Sequence, residues 1–387
     1  MKISGYRIHV TVPPQPPPDR PGYRASWVFL EIETDLGVVG LGECSNWPHD
    51  GDLVVATALQ RVMETLVGRD PEHIEAIWRE VFGRYTYLGN RGLITTVLSA
   101  IDMALWDIKG QVLERPVFDL LGGAVRDRLP LYTHPGGGGD PDVAAANTVA
   151  LIEAGFRAFK FDPFAESGPR HTDYRDGGIS RAGVRQGAEV IEAVRAATGP
   201  DVDIMIDFHG LYNVESALRC IRALEPFDIT WFEEPLPPEG LDALRQVRRQ
   251  TAAPLCVGER LHTRWDFLPV LREQLVNFVM PDISWTGGVS ELKKIATLAE
   301  TFFVPIAPHG ALGPVQVVAG AQVMMSVPNL FRVEILGPGV VALFDECLDR
   351  PLDISDGHLD VSSRPGLGVA LDQDYVAAHA HPEWSTG

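Results

Sequence analysis

The chain has 387 residues, 45 % hydrophobic and 22 % charged, which suits a folded protein with a sizeable core and room for two or three domains. A formal net charge of −19 argues against nucleic acid or an anionic membrane as partner, since both require a basic face. It leaves room for an anionic small molecule, because a bound cation with local Lys or His can invert the field inside a pocket. Cys44, Cys220, Cys256 and Cys347 are far apart and form no CxxC pair. A disulfide framework or zinc site is therefore not expected, and a reducing cytoplasm fits. The N-terminus, MKISGYRIHV, lacks the apolar core of a signal peptide, and no apolar run approaches the ~18 residues that span a membrane.

Residues 1–40 alternate like antiparallel strands, with Asp35-Leu36-Gly37 as a hairpin turn. Between them, VPPQPPPDRPGY (Val12–Tyr23) is too rich in proline for a central strand and reads as an extended loop. Helical spacing follows over Leu53–Val67, Pro71–Phe82 and Leu93–Gln111. In the last of these, Ala100 and Ala104 would let another backbone come close.

From Arg128 onward, strand candidates alternate with helices. The strands are Leu129–Thr133, Ala158–Phe161, Val202–Ile206, Ile229–Phe232, Leu255–Val257, Asn277–Met280, Val304–Ala307 and Phe331–Val333. Helical stretches between them include Pro141–Ala154, Val184–Ala197, Val214–Leu224, Leu241–Gln250, Val289–Phe302 and Val315–Val327. Eight strands with intervening helices match an α/β chain folded as a TIM barrel of the (β/α)8 type. No GxGxxG follows the first strand, so a doubly wound dinucleotide fold lacks support. The run Gly136–Gly139 reads as a mobile loop, and Asp356–Leu371 as short strands and turns that fold back on the N-terminal region.

Three short apolar runs, DIMID, ITWFE and LCVGE, end in Asp207, Glu233 and Glu259, each 26 residues from the next. One strand–helix–strand repeat takes about 30 residues, so the three acids fall at the carboxyl ends of neighbouring parallel strands. In a barrel, those ends carry the active site. Carboxylates converging with no strong basic partner would repel each other, and a hard divalent cation, Mg²⁺ in particular, is the simplest remedy. The other strand ends are polar too. They hold Lys160 and Asp162, then His209, Asp282, His309 and Glu334. An acid on one strand and an imidazole on the next can hydrogen-bond side to side, which makes Asp282–His309 an oriented base. Three acids for a metal, two histidines and a lysine suit removal of a proton α to a carboxylate, where a dication offsets the charge of the enediolate.

The order of motifs SAIDMALWDIKG, PVFDLLGG, KFDPF, DFHG, FEEP, GER, PDISWTGG and APHG resembles the enolase superfamily, mandelate racemase type, over nearly the whole chain. The resemblance implies a modified (β/α)7β barrel over 128–350, an N-terminal α+β capping domain over 1–127, and a C-terminal segment, 351–387, returning to the capping domain. It implies that Asp207, Glu233 and Glu259 bind one Mg²⁺ and that Asp282 and His309 form the acid/base dyad. Glu334 would hydrogen-bond the substrate carboxylate, and Lys160 would be the first lysine of the KxK motif. His209 is similar to the second catalytic histidine of galactonate dehydratase-like members. Asp162 stands where the second lysine is expected, which weighs against lysine-based racemisation. Substrate contacts are expected from Asp162, Trp47, His49 and Trp285, although Trp285 could instead pack against a helix. The implied activity is that of a cytoplasmic Mg²⁺-dependent dehydratase acting on an aldonate or aldarate in acid-sugar breakdown, as a homo-oligomer between dimer and octamer. A racemase, epimerase or cycloisomerase, and a non-catalytic barrel that binds a sugar acid, are the alternatives.

Overall fold

The computed structural model describes residues 1–13, 16, 26–46, 51–170 and 176–384. Strands β1 (Ile3–Thr11), β2 (Trp27–Thr34) and β3 (Val39–Glu43) form an antiparallel sheet in that order, with the predicted turn at 35–37. Gly37 takes φ +78°, a left-handed conformation that favours glycine. Helices α1 (Asp52–Met63) and α3 (Leu93–Val112) pack on this sheet, and α2 (Ile74–Arg84) packs on α3, around a core that includes Ile8, Leu30, Leu59, Trp78 and Ile101. The small residues of α3 do what their spacing suggests, with glycines opposite. A Cβ on Gly42 would lie 2.0 Å from the carbonyl oxygen of Ala100, and one on Gly40 2.2 Å from that of Ala104. Helix and sheet backbones are therefore in direct contact, and any side chain at 40 or 42 would force them apart. Most of the Pro-rich segment, together with Trp47 and His49, lies outside the described residues.

The second unit is a closed barrel of parallel strands. Strands β5 (Ala158–Phe161), β6 (Asp203–Asp207), β7 (Trp231–Glu233), β8 (Leu255–Val257) and β9 (Phe278–Val279) form one sheet in chain order. Parallel bridges from Val279 to Ile306 and from Ile306 to Leu330 carry the ring onward. Strand β10 (Val333–Glu334) pairs with β4 (Leu129–Tyr132), and a Thr133–Phe159 bridge closes the circle. The seventh strand is thus reduced to contacts around Ile306, shorter than the apolar run Val304–Ala307 suggested. Among the described residues, eight α-helices from Pro141–Glu153 to Pro314–Met325 separate the strands, and Pro338–Cys347 follows the eighth strand. Thr263–Arg272 is helical although Pro269 stands inside it, a residue that normally argues against a helix interior.

Alternation along the strands divides the core in two. Phe159, Ile204, Ile206, Phe232, Leu255, Val279 and Ile306 join the large core shared with the helices. Tyr132, Ala158, Met205, Trp231, Cys256, Met280 and Ala307 form a separate cluster that fills the barrel. Trp231 is its largest member, in edge contact with Tyr132 and Phe331. The site stands on this filled floor.

The C-terminal stretch does not simply fold back on the N-terminal region. A hairpin of β11 (Asp353–Ser355) and β12 (His358–Asp360) pairs antiparallel with the start of β4, because that strand's edge is open there. Only further on does the chain reach α3 and β1. Leu367 N–H donates to Asp107, His381 N–H to the Val10 carbonyl, and the Trp384 indole to the Ile8 carbonyl.

Candidate active site

Side chains on a strand return to the same face every second residue. Two positions beyond the barrel-filling residues come His134, Lys160, Asp207, Glu233, Asp282 and His309. One strand breaks the rule. Position 258, two beyond Cys256, is glycine at φ +146°, where a Cβ would lie 2.8 Å from the Phe267 ring. The chain turns there, and Glu259 delivers the acid one residue later. Glu334 arrives from β10, in register with Tyr132.

Asp207, Glu233 and Glu259 offer oxygen atoms that all lie within 4.8 Å of one another, an arrangement able to hold a metal ion. The three acids do not converge alone. Lys160 Nζ lies 2.7 Å from Glu233, 2.8 Å from Glu334 and 3.2 Å from Asp207. Burial opposes its charge, but Glu233, Glu334 and Asp207 raise its pKa well above the ordinary value, so it is a fixed cation rather than a base. One ammonium still does not balance the site. Burial, then repulsion from Asp207, push the Glu233 carboxyl well above the usual range despite Lys160. Burial works the same way on Asp207, yet His209 and Lys160 hold it low. An all-oxygen donor set with excess negative charge fits a hard dication.

His209 stands at φ +49°, a strained conformation for a residue other than glycine. Its own N–H donates to Asp207 (2.8 Å), and its carbonyl accepts from the Arg260 guanidinium (2.8 Å). Arg260 is in turn locked to Glu234. The imidazole places Nδ1 3.2 Å from Asp162 and Nε2 3.4 Å from Asp207, with 41 % of the side chain exposed. Burial would lower its pKa; Asp207 and Asp162 raise it above the ordinary value.

His309 lies opposite and is buried. Its Nδ1 is 2.6 Å from Asp282, and its Nε2 is 3.5 Å from Glu259. A carboxylate accepts, so Nδ1 carries the hydrogen and Nε2 faces the acids. Burial opposes protonation, but Glu334, Glu259 and Asp282 bring the imidazole up to about 9. Trp285 is buried and stacks on this ring, with centroids 5.4 Å apart and planes 28° apart.

Glu334 accepts at both oxygens: from Lys160, from His134 (2.6 Å) and from the Gly310 N–H (3.0 Å). Burial would raise its pKa, but Lys160, His309 and His134 hold it well below the usual range. It therefore stands ready to accept, and donates to a substrate carboxylate only after taking up a proton. His134 was missed in the sequence, although the alternation that brings Lys160 two residues past Ala158 also brings His134 two residues past Tyr132. The structure assembles Lys160, Asp162, Asp207, His209, Glu233, Glu259, Asp282, Trp285, His309 and Glu334 at one end of the barrel.

Residues 143–375 match the family described as enolase C-terminal domain-like, and residues 19–122 match the mandelate racemase / muconate lactonizing enzyme N-terminal domain. The chain is similar to the D-gluconate dehydratase of Thermoproteus tenax, with 35 % identity over 89 % of this chain and 68 % of that protein. It is similar to the D-galactonate dehydratase of Variovorax paradoxus, with 34 % identity over 92 % of both. Among solved structures it resembles the mandelate racemase/muconate lactonizing enzyme from a Sulfitobacter species, at TM-score 0.89 and 30 % identity, covering 100 % of this chain and 97 % of that one.

Proposed function

The chain belongs to the mandelate racemase / muconate lactonizing enzyme family, and from that premise we propose that it dehydrates an acid sugar to a 2-keto-3-deoxy acid. Relatives named as gluconate and galactonate dehydratases support the reaction class. The observation that carries it is a pair of imidazoles flanking three clustered carboxylates. Each has Nδ1 on its own aspartate and Nε2 turned to a triad acid, His209 on Asp207 and His309 on Glu259. Loss of water needs this pairing, a base at the α-carbon and an acid at the β-hydroxyl.

Asp207, Glu233 and Glu259 are the residues that would hold Mg²⁺, which when bound would offset negative charge on the substrate carboxylate as the α-proton leaves. His209 is the residue that would take that proton, a role that requires it to be neutral. The charge that raises its pKa is first that of Asp207, which would be committed to Mg²⁺, and its exposed ring can pass the proton on to solvent. His309 gives its Nε2 proton to the β-hydroxyl, which departs as water, and the enol left behind tautomerises to the keto acid. Lys160 keeps Glu233, Glu334 and Asp207 in place and adds a fixed positive charge beneath the substrate. Asp162 is an acid on the face where a lysine base would be required, which disfavours racemisation there. Incubation with a panel of aldonates and aldarates, with and without EDTA, tests the proposal. Metal-dependent keto acid from at least one of them is expected; α-deuterium exchange with no loss of water on every one would overturn it.

A further inference from the structure

One buried network in the structure is not explained by catalysis. Strand β3 of the N-terminal domain ends at Glu43, which is fully buried. Its carboxylate accepts the backbone N–H groups of Val315 (2.8 Å) and Gln316 (2.9 Å), which open the helix Pro314–Met325 in the barrel. That helix start is shaped to admit it: a Cβ on Gly313 would lie 1.8 Å from Glu43 Oε1. The same oxygen accepts the Ser45 hydroxyl at 2.6 Å.

From this anchor two arms reach His309. Gln316, also buried, accepts the Leu312 N–H at 2.9 Å and donates its amide to Asp282 Oδ2, the oxygen that holds His309 Nδ1. With the Ser284 N–H on Oδ1 at 2.7 Å, the Asp282 carboxylate has no freedom to rotate. The second arm is Trp285. Its indole N–H donates to the Ser45 carbonyl (3.1 Å), and its ring lies on the His309 imidazole. One arm fixes the bond that orients the ring, and the other fixes the plane in which the ring can lie.

We propose that Gln316 and Trp285 are positioning residues for His309, and that segment 43–45 of the N-terminal domain is their common anchor, so that domain docking sets the geometry of the buried acid. The proposal rests on His309 serving as that acid, but its geometry can be read without turnover. Partners that orient a ligand or an acid/base group typically matter by about 10–100-fold when removed.

The test uses the full chain with saturating Mg²⁺ and two readouts. Wild type should show a low-field proton resonance for His309 Nδ1–H, identified by its absence in His309→Asn. In Gln316→Met and in Trp285→Leu this resonance should move or broaden, and kcat for the acid sugar should fall about 10–100-fold with KM within about twofold. A purely structural role would lower thermal stability and leave the resonance and kcat as in wild type, which would overturn the proposal. If either variant fails to fold, Trp285→Phe decides, since it keeps an aromatic stack and cuts only the bond to Ser45: a changed resonance supports the anchor and an unchanged one refutes it. If wild type dehydrates no acid sugar, the functional reading fails and the resonance alone decides the positioning.

Discussion

The two sides of the barrel mouth use the same device in opposite surroundings. On one side Asp162 holds His209 at 3.2 Å, with the ring 41 % exposed and carried on a strained left-handed residue. On the other, Asp282 holds His309 at 2.6 Å beneath Trp285, with Gln316 fixing the acid. Local chain geometry and one arginine place the first histidine. Contacts from a second domain place the other. An exposed base can trade protons with water, whereas a buried acid gains from being held in one orientation before the substrate arrives.

The largest effect should come from removing what both sides share. Glu233→Gln is expected to abolish turnover and to abolish the rise in melting temperature that Mg²⁺ gives the wild-type protein. An equal Mg²⁺-dependent rise in both proteins would place the ion elsewhere. Next in size, His309→Asn should lower kcat by about 10²–10⁴-fold while the fold and the Mg²⁺ response survive. Full activity in that variant would remove the buried side from the mechanism.

Asp162→Asn should cost less, about 10–100-fold, because an amide can still accept from Nδ1 and because water reaches His209. A loss as large as that of His309→Asn would erase the asymmetry between the two sides. The smallest effect is on stability. Burial raises the Glu43 carboxyl from 4.5 to about 7. Between those values the folded protein keeps a proton that the unfolded chain has lost. Its contribution to stability is therefore complete below about pH 4.5 and is lost as the pH rises to about 7. Melting temperatures measured across that window should fall less steeply in Glu43→Gln than in wild type, and parallel curves would show that Glu43 does not titrate there.

Much of this was legible in the sequence because it repeats. The spacing of Asp207, Glu233 and Glu259 follows from parallel strands joined by helices, and Asp282, His309 and Glu334 recur at similar though unequal intervals. The helices Val214–Leu224 and Leu241–Gln250 have the predicted bounds because their apolar positions and polar flanks agree. Less was readable where one signal had to stand alone. The seventh strand shrinks to a bridge at Ile306, and Thr263–Arg272 is helical despite Pro269. His134 lay one step along a pattern already in use for other strands.

The sequence by itself marked most of the residues that reach the barrel mouth, since alternation and repeat length are local properties of the chain, although Glu259 arrives one position off that alternation. Tertiary structure alone decided how they are paired and held. Lys160 meets three carboxylates from three strands, and Trp285 and Gln316 meet His309 and Asp282 under a segment more than two hundred residues away in the chain. Such pairings depend on which layers close over which, and no short window of residues contains that information.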